Sequence, residues 1–212
     1  MLINLILKDF ILIKKYLVIL VAFAVVAPVY LASQMGNGAI SFFLVLLYVS
    51  FIAFSQVSMI ENKYRGNALL CATPYRRKSV VQAKYAFLLI IFLLTVLIQF
   101  LVAAIISSRM ATVSLTGINF SLFFFSLFFS FFIPLQYKFG YEKMRMVMLA
   151  IIFCMPFALG YLIRWLNENE IHLTFSLPLP DTLFQWLPGI TGILLVLLSL
   201  LVSQRIFERK DL

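Results

Sequence analysis

Few side chains in this chain of 212 residues could carry out catalysis. There is a single histidine, His172, and only eight Asp and Glu residues, so a hydrolytic site lacks the groups it needs. The nearest carboxylate pair, Glu168 and Glu170, is more typical of a solvated loop. None of the eight glycines begins a phosphate-binding loop, in which backbone N–H groups and a lysine hold a nucleotide's phosphates. We therefore expect no enzyme activity, and any energy for work must come from another chain.

The chemistry that remains is binding, and the best candidate is a basic segment, 61–84. Its first half, 61–71, predicts a short helix that contains the pair Leu69 and Leu70. Pro74 interrupts this helix, because proline lacks the backbone N–H and disfavours helix just before it. The segment fits a basic loop held at anionic headgroups, or a docking helix whose leucines are buried in a partner. The leucine pair favours docking.

The elements that position this segment are strongly apolar. The chain is 64% hydrophobic and 12% charged, with a mean hydropathy of +1.07, whereas a soluble domain is roughly half apolar and about a quarter charged. This composition excludes a water-soluble domain, a disordered tail and a nucleic-acid-binding module. A membrane-spanning helix needs about 20 mostly apolar residues. Six stretches without Asp, Glu, Lys, Arg or His predict an all-α membrane protein with six transmembrane helices: 16–34, 40–60, 85–107, 118–136, 146–163 and 187–203.

The basic residues predict the orientation. With six spans, fifteen of the seventeen Lys and Arg residues fall on the side that holds both termini. Basic residues are enriched in cytoplasmic loops, so both termini and the segment 61–84 are predicted to be cytoplasmic, and 164–186 is the last outer loop. The six stretches contain no ionisable side chain, whereas pumps and ion-coupled transporters usually place such groups inside the bilayer.

The N-terminal residues, 1–15, predict an amphipathic helix that lies in the cytoplasmic interface before the first span. Asn4, Lys8 and Lys15 share one face at 100° per residue, and apolar residues cover much of the remaining surface. The alternative is that the first span starts early and is long.

The fourth span is rich in phenylalanine and indicates a weak candidate for a substrate path. Phe124, Phe128 and Phe131 form one stripe at helical spacing, and Gln56 and Gln99 could add hydrogen bonds from other spans. A path without fixed charge suits an amphipathic peptide or a lipid-like molecule, since a hydrophilic solute would lose its hydration there. The alternative is that these phenylalanines face lipid and the glutamines pack between helices.

Two loops carry a family resemblance. The stretch 134–145 reads Pro-Leu-Gln-Tyr-Lys-Phe-Gly-Tyr-Glu-Lys-Met-Arg and resembles a signature of small bacterial ABC-2-type permeases, with Gln136 where an aromatic residue is commoner. The segment 61–84 is similar to the family's cytoplasmic loop, with an acidic residue, a Leu-rich helix, Thr-Pro and a basic pair. The start of the chain, around Leu5 to Phe10, also looks like the family's start. The resemblance covers the whole chain, 1–212, as a single transmembrane domain.

The resemblance implies the permease subunit of an ATP-driven exporter in a bacterial cell membrane. Two permease subunits, identical or different, would pair, and separate ABC ATPase subunits would bind ATP and Mg²⁺, so this chain binds no cofactor. Related permeases export amphipathic toxin or antimicrobial peptides. The alternatives are an exporter of lipid-like or polysaccharide substrates, or a non-transporting scaffold or sensor.

The resemblance also assigns residues. The N-terminal helix corresponds to the family's elbow helix, and the loop 61–84 carries the coupling helix that sits in a cleft of the ATPase. The residues predicted to couple to the ATPase are Glu61, Lys63, Tyr64, Arg65, Asn67, Ala68, Leu69, Leu70, Pro74, Arg76 and Arg77. The second cytoplasmic loop supplies Lys138, Phe139, Gly140, Tyr141, Glu142 and Arg145.

Overall fold

The computed structural model describes residues 2–35, 38–64, 76–105, 114–169 and 181–209. Every regular element in these ranges is an α-helix, which confirms the all-helical prediction. The helices are α1 (Leu2–Met35), α2 (Gly38–Lys63), α3 (Arg77–Ile105), α4 (Leu115–Phe139), α5 (Tyr141–Glu168) and α6 (Asp181–Glu208).

Five stretches within the described residues are long and apolar enough to cross a membrane, which confirms a multi-pass protein. They are Leu2–Leu31 in α1, Ile40–Lys63 in α2, Arg77–Ile105 in α3, Leu115–Phe139 in α4 and Gln185–Glu208 in α6. The sixth predicted span, 146–163, lies in α5, which is not among these five, so that span stays a prediction.

The N-terminal helix differs from the prediction. The structure has no separate elbow helix, because α1 runs unbroken from Leu2 to Met35. No glycine or proline occurs before Pro28, so nothing in the sequence interrupts the hydrogen-bond ladder near residue 15. The first turns of α1 also pack into the bundle through Leu5, Asp9 and Ile13, which are four residues apart and all buried.

Helices α4 and α6 form the most extensive contact in the bundle. A Cβ added at Gly192 of α6 would lie 3.1 Å from the Cα of Phe123 in α4, so only glycine fits without displacement. The Asn119 side chain donates a hydrogen bond to the Gln185 carbonyl at 2.7 Å. Close packing over small residues, with polar side chains bridging the helices, is typical of membrane helix pairs.

Polar contacts gather one end of each helix into a common surface, which we call the charged end. Lys8 of α1 contacts Glu61 of α2, and Arg77 at the start of α3 donates to the Glu208 carbonyl at the end of α6 at 3.0 Å. Asn62 of α2 donates to Glu142 of α5 at 3.3 Å. The opposite ends also meet: Met155 of α5 lines a groove with residues near the starts of α2 and α4. The segments that are predicted to bind a cytoplasmic partner therefore lie next to one another in the structure.

Candidate functional site

A cluster of two acidic and two basic side chains lies at the charged end, between α1, α2 and α3. We call it the charge cluster, and its members are Lys8, Asp9, Glu61 and Lys84. The Lys8 ammonium lies 2.6 Å from Glu61 Oε1 and 3.0 Å from Asp9 Oδ1. The Lys84 ammonium donates a hydrogen bond to the other oxygen of Glu61. Glu61 therefore joins α1 to α3 through its two oxygens.

The charge cluster is almost wholly removed from solvent. Asp9 is 1% exposed, Lys84 4% and Glu61 7%, and only Lys8 keeps about a third of its side chain accessible. The Lys84 ammonium also lies 5.8 Å from the centre of the Phe54 ring, on its face. The cluster combines two basic and two acidic side chains, so their formal charges sum to zero. Such a group is stable only as a set, since removing one member of a buried pair leaves an uncompensated charge.

The positions of Glu61 and Lys84 follow from their places at the borders of two apolar runs. Glu61 comes directly after the apolar part of α2, and Lys84 comes directly before that of α3. The apolar residues fix the level of each helix in the membrane, so these borders come to the same depth. Phe10 and Phe87, whose ring centres are 5.1 Å apart, hold α1 against α3 beside the cluster.

Sequence reasoning missed most of this cluster. It assigned Glu61 to the ATPase-docking surface, whereas the structure buries Glu61 among Lys8 and Lys84. It placed Lys8 on a polar face and did not consider Asp9. One signal was available: Glu61 is the only acidic residue between Asp9 and Glu142. A lone carboxylate in a basic region suggests an internal partner.

The other predicted coupling residues divide into three groups. Lys63, Tyr64 and Arg76 are exposed at the charged end, with the Lys63 ammonium 5.6 Å from the Tyr64 ring centre. Arg77 is engaged with α6, and its neighbour Lys78 lies 3.6 Å from the Glu208 carboxylate. The predictions for Arg65, Asn67, Ala68, Leu69, Leu70 and Pro74 lie outside the described residues.

The second predicted loop is a tight turn at Gly140, as expected, between α4 and α5. Gly140 has a φ of 89°, which favours glycine, and its N–H donates to the Gln136 carbonyl at 2.9 Å. The Tyr141 hydroxyl donates to the Ser55 carbonyl of α2 at 3.2 Å. This turn is therefore fastened to α2.

The remaining residues of the second loop are on the surface. Glu142 is exposed and accepts the hydrogen bond from Asn62, while Arg145 is exposed on the next turn of α5. Lys138 lies near the end of α4, with its ammonium 5.4 Å from the centre of the exposed Phe139 ring. Glu61, Lys84 and Tyr141 also line a polar cavity of about 90 Å³ between the two loops. The described ends of the loop 61–84 are thus in contact with the second loop at the charged end.

The predicted substrate-path residues do not form one surface. Gln99 is buried within the bundle, and Gln56 is half-buried. Phe131 is 72% exposed, whereas Phe124 packs against Phe43 of α2, with ring centres 5.6 Å apart. Phe128 is half-buried and packs edge-on against Phe129. The glutamines and the phenylalanine stripe thus occupy different parts of the structure.

The neighbouring phenylalanine stripe of α4 is the one that packs inward. Phe125, Phe129 and Phe132 are buried, and their rings meet those of Phe54 in α2 and Phe92 in α3. These aromatic contacts lie directly beneath the charge cluster, because Phe54 also contacts Lys84.

Comparison with known proteins identifies a family model that covers most of the chain. Residues 4–208 match a family model whose description is "ABC-2 family transporter protein". No curated protein matches the chain. The match covers all six helices and both loops at the charged end.

Proposed function

Because the chain belongs to the ABC-2 family of transporter proteins, we propose that it is the permease of an exporter that a separate ATPase drives. Family membership establishes a membrane-spanning transporter subunit rather than a nucleotide-binding domain. The proposal adds the direction of transport, a bacterial cell membrane, a second permease subunit and an ATPase bound at the charged end.

We propose six spans with both termini in the cytoplasm. The charged end contains Lys8 near the start of the chain and Glu208 near its finish. Helix α5 begins at that end, at Tyr141, and reaches the opposite end near Met155. Helix α6 runs back to the charged end from Gln185, whose carbonyl accepts the hydrogen bond from Asn119. The path supports a crossing by α5 as well as by the five apolar helices. The excess of Lys and Arg at the charged end supports the cytoplasmic side.

The charge cluster is the observation that carries the coupling proposal. Glu61 and Lys84 are the first and last residues of the loop 61–84, and their ion pair connects the two ends of the loop. Lys8 extends the same network to α1. A force that an ATPase applies to the loop would therefore reach α1, α2 and α3 together, and through Tyr141 it would reach α5.

Replacing both Leu69 and Leu70 with aspartate is expected to abolish co-purification of the proposed ABC ATPase partner. Burying two carboxylates in an apolar cleft would cost several kcal/mol of binding free energy unless they were paired there. The measurement is the amount of ATPase retained with affinity-tagged permease after co-expression, with membrane insertion checked separately.

The matched control is the double methionine variant, Leu69→Met with Leu70→Met, which keeps the apolar surface at both positions. We expect it to retain the ATPase. Full retention by the aspartate variant would show that these leucines are not in the interface with the ATPase.

We propose amphipathic peptides as the exported substrate. Most of the acidic and basic side chains of the described helices lie at the charged end. The exceptions are Lys14 and Lys15, which are exposed on α1, and residues near the opposite end of the bundle. The exposed surface of α4 is aromatic, with Phe124 and Phe131 on it. An apolar helix face can pass along such a surface, whereas a sugar or a small ion would lose its hydration without replacement.

A further inference from the structure

An apolar groove runs along the outer surface of α4 and α6, next to the charged end. Its volume is about 440 Å³. Six of its lining residues define its extent: Leu127, Phe131 and Lys138 on α4, and Leu195, Val202 and Ile206 on α6. None of these residues takes part in the charge cluster, and Lys138 is the one that also belongs to the second loop described above.

The groove has the length of one membrane leaflet. Leu127 and Lys138 are eleven residues apart, which is about 16 Å along an α-helix. Leu195 and Ile206 have the same separation on α6, and Tyr137 packs against Phe207, with ring centres 5.0 Å apart, so both helices end at the same level. Half of a hydrocarbon core of about 30 Å is about 15 Å. The groove, which starts at the charged end, is therefore about as long as one leaflet of the hydrocarbon core is thick.

The mouth of the groove is positively charged. Lys138 lines it directly. Arg209 continues the last turn of α6, since its N–H donates to the Arg205 carbonyl at 3.4 Å. At 100° per residue Arg209 falls within about 40° of Leu198 and Val202, on the groove side. The acidic residue at this end of α6, Glu208, is turned toward Lys78 on α3. A negatively charged headgroup would thus meet two cations at the mouth.

We propose that this groove binds an anionic phospholipid of the leaflet at the charged end. One acyl chain lies between α4 and α6, and the phosphate lies at Lys138 and Arg209. A lipid fits better than a peptide helix because a single chain has the groove's depth and places its charge at the basic mouth. The site is independent of the proposed ATPase, and it shares Phe131 with the surface proposed for the substrate, so the test below includes competition by a peptide.

The site is tested by native mass spectrometry of the full-length protein after equilibration with vesicles of phosphatidylglycerol or phosphatidylcholine. The wild type is expected to retain phosphatidylglycerol and not phosphatidylcholine. Lys138→Gln is expected to weaken retention roughly fivefold, as removal of one charge at an anionic surface does, and Lys138→Arg to preserve it. Lys143→Gln removes an exposed charge of α5 at the same end and is expected to have little effect.

The groove itself is tested by Val202→Trp, which fills it and is expected to abolish retention. Leu93→Trp, on the exposed surface of α3, is the matched control. Equal retention of both lipids, an equal loss with Lys143→Gln, or unchanged retention in Val202→Trp would overturn the proposal. A dimer that covers the groove and carries no lipid would also overturn it, as would displacement of the lipid by an amphipathic peptide at equal concentration.

Discussion

Glu61→Gln is expected to destabilise the protein more than any other single substitution of a charged residue in the described part of the chain. Glu61 accepts from Lys8 and Lys84 through different oxygens, and Lys84 is 4% exposed. Breaking a buried ion pair by removing one partner costs about 3–5 kcal/mol. Glutamine keeps the size of the side chain, so the loss reports on charge. The measurement is the thermal unfolding midpoint of the purified protein in lipid discs.

Glu142→Gln provides the control for this substitution. Glu142 lies at the same end and accepts a hydrogen bond from Asn62, but it is exposed. Substitutions at such surface positions usually change stability by less than about 0.5 kcal/mol. In a double-mutant cycle, Lys84→Met combined with Glu61→Gln is expected to cost less than the sum of the single changes. Equal midpoints for Glu61→Gln and Glu142→Gln would show that the charge cluster does not hold α1, α2 and α3 together.

Gly192→Leu is expected to separate α4 from α6 and to lower the unfolding midpoint strongly. A Cβ at Gly192 lies 3.1 Å from the Phe123 Cα and 3.2 Å from Ser126 Oγ. The backbone of α4 cannot move aside locally, so the helices must shift, and overpacking of this kind costs typically about 1–3 kcal/mol. The shift would also lengthen two hydrogen bonds between the helices, from Asn119 to Gln185 and from Ser199 to Ser130.

Gly160→Leu is the matched control, because a Cβ at Gly160 of α5 meets nothing within 4 Å. Leucine has a higher helix propensity than glycine, by somewhat less than about 1 kcal/mol in a helix interior. Gly192→Leu is therefore expected to lower the unfolding midpoint, whereas Gly160→Leu is expected to leave it unchanged or to raise it slightly. A comparable loss of stability in both variants would indicate a general intolerance of larger side chains rather than close packing at Gly192.

The apolar runs predicted the helices well because length and hydropathy are local properties. Five of the six predicted spans lie within one observed helix each, and the span 85–107 begins within α3, with its last two residues outside the described part of the chain. The turn at Gly140 followed from one glycine between aromatic residues. The separate elbow helix is not confirmed, since α1 is continuous from Leu2 to Met35. An amphipathic pattern does not tell whether its polar face meets headgroups or ion-pair partners on neighbouring helices. In α1 the buried stripe contains Asp9, a charged residue, so the hydrophobic pattern misidentified the inward face.

The candidate site was predicted only in part, because its contacts join residues far apart in the chain. Lys8 and Glu61 are 53 positions apart, and only the packing of α1 against α2 brings them together. The inward stripe of α4 could not be chosen from the sequence either. The phenylalanines surround much of that helix, and a helix that is apolar all round gives no sign of which face is buried. The structure shows that Phe125, Phe129 and Phe132 face the core.

ATP hydrolysis by the permease and ATPase together, in lipid discs, tests the central proposal most directly. The panel contains amphipathic helical peptides, polysaccharide precursors and hydrophilic solutes, and ATPase without the permease is the reference. We expect the peptides alone to stimulate hydrolysis, and only when the permease is present. Stimulation by the carbohydrate precursors alone would contradict the peptide assignment and leave the exporter standing. An ATPase that neither binds the permease nor changes its activity in response to any member of the panel would contradict the exporter itself.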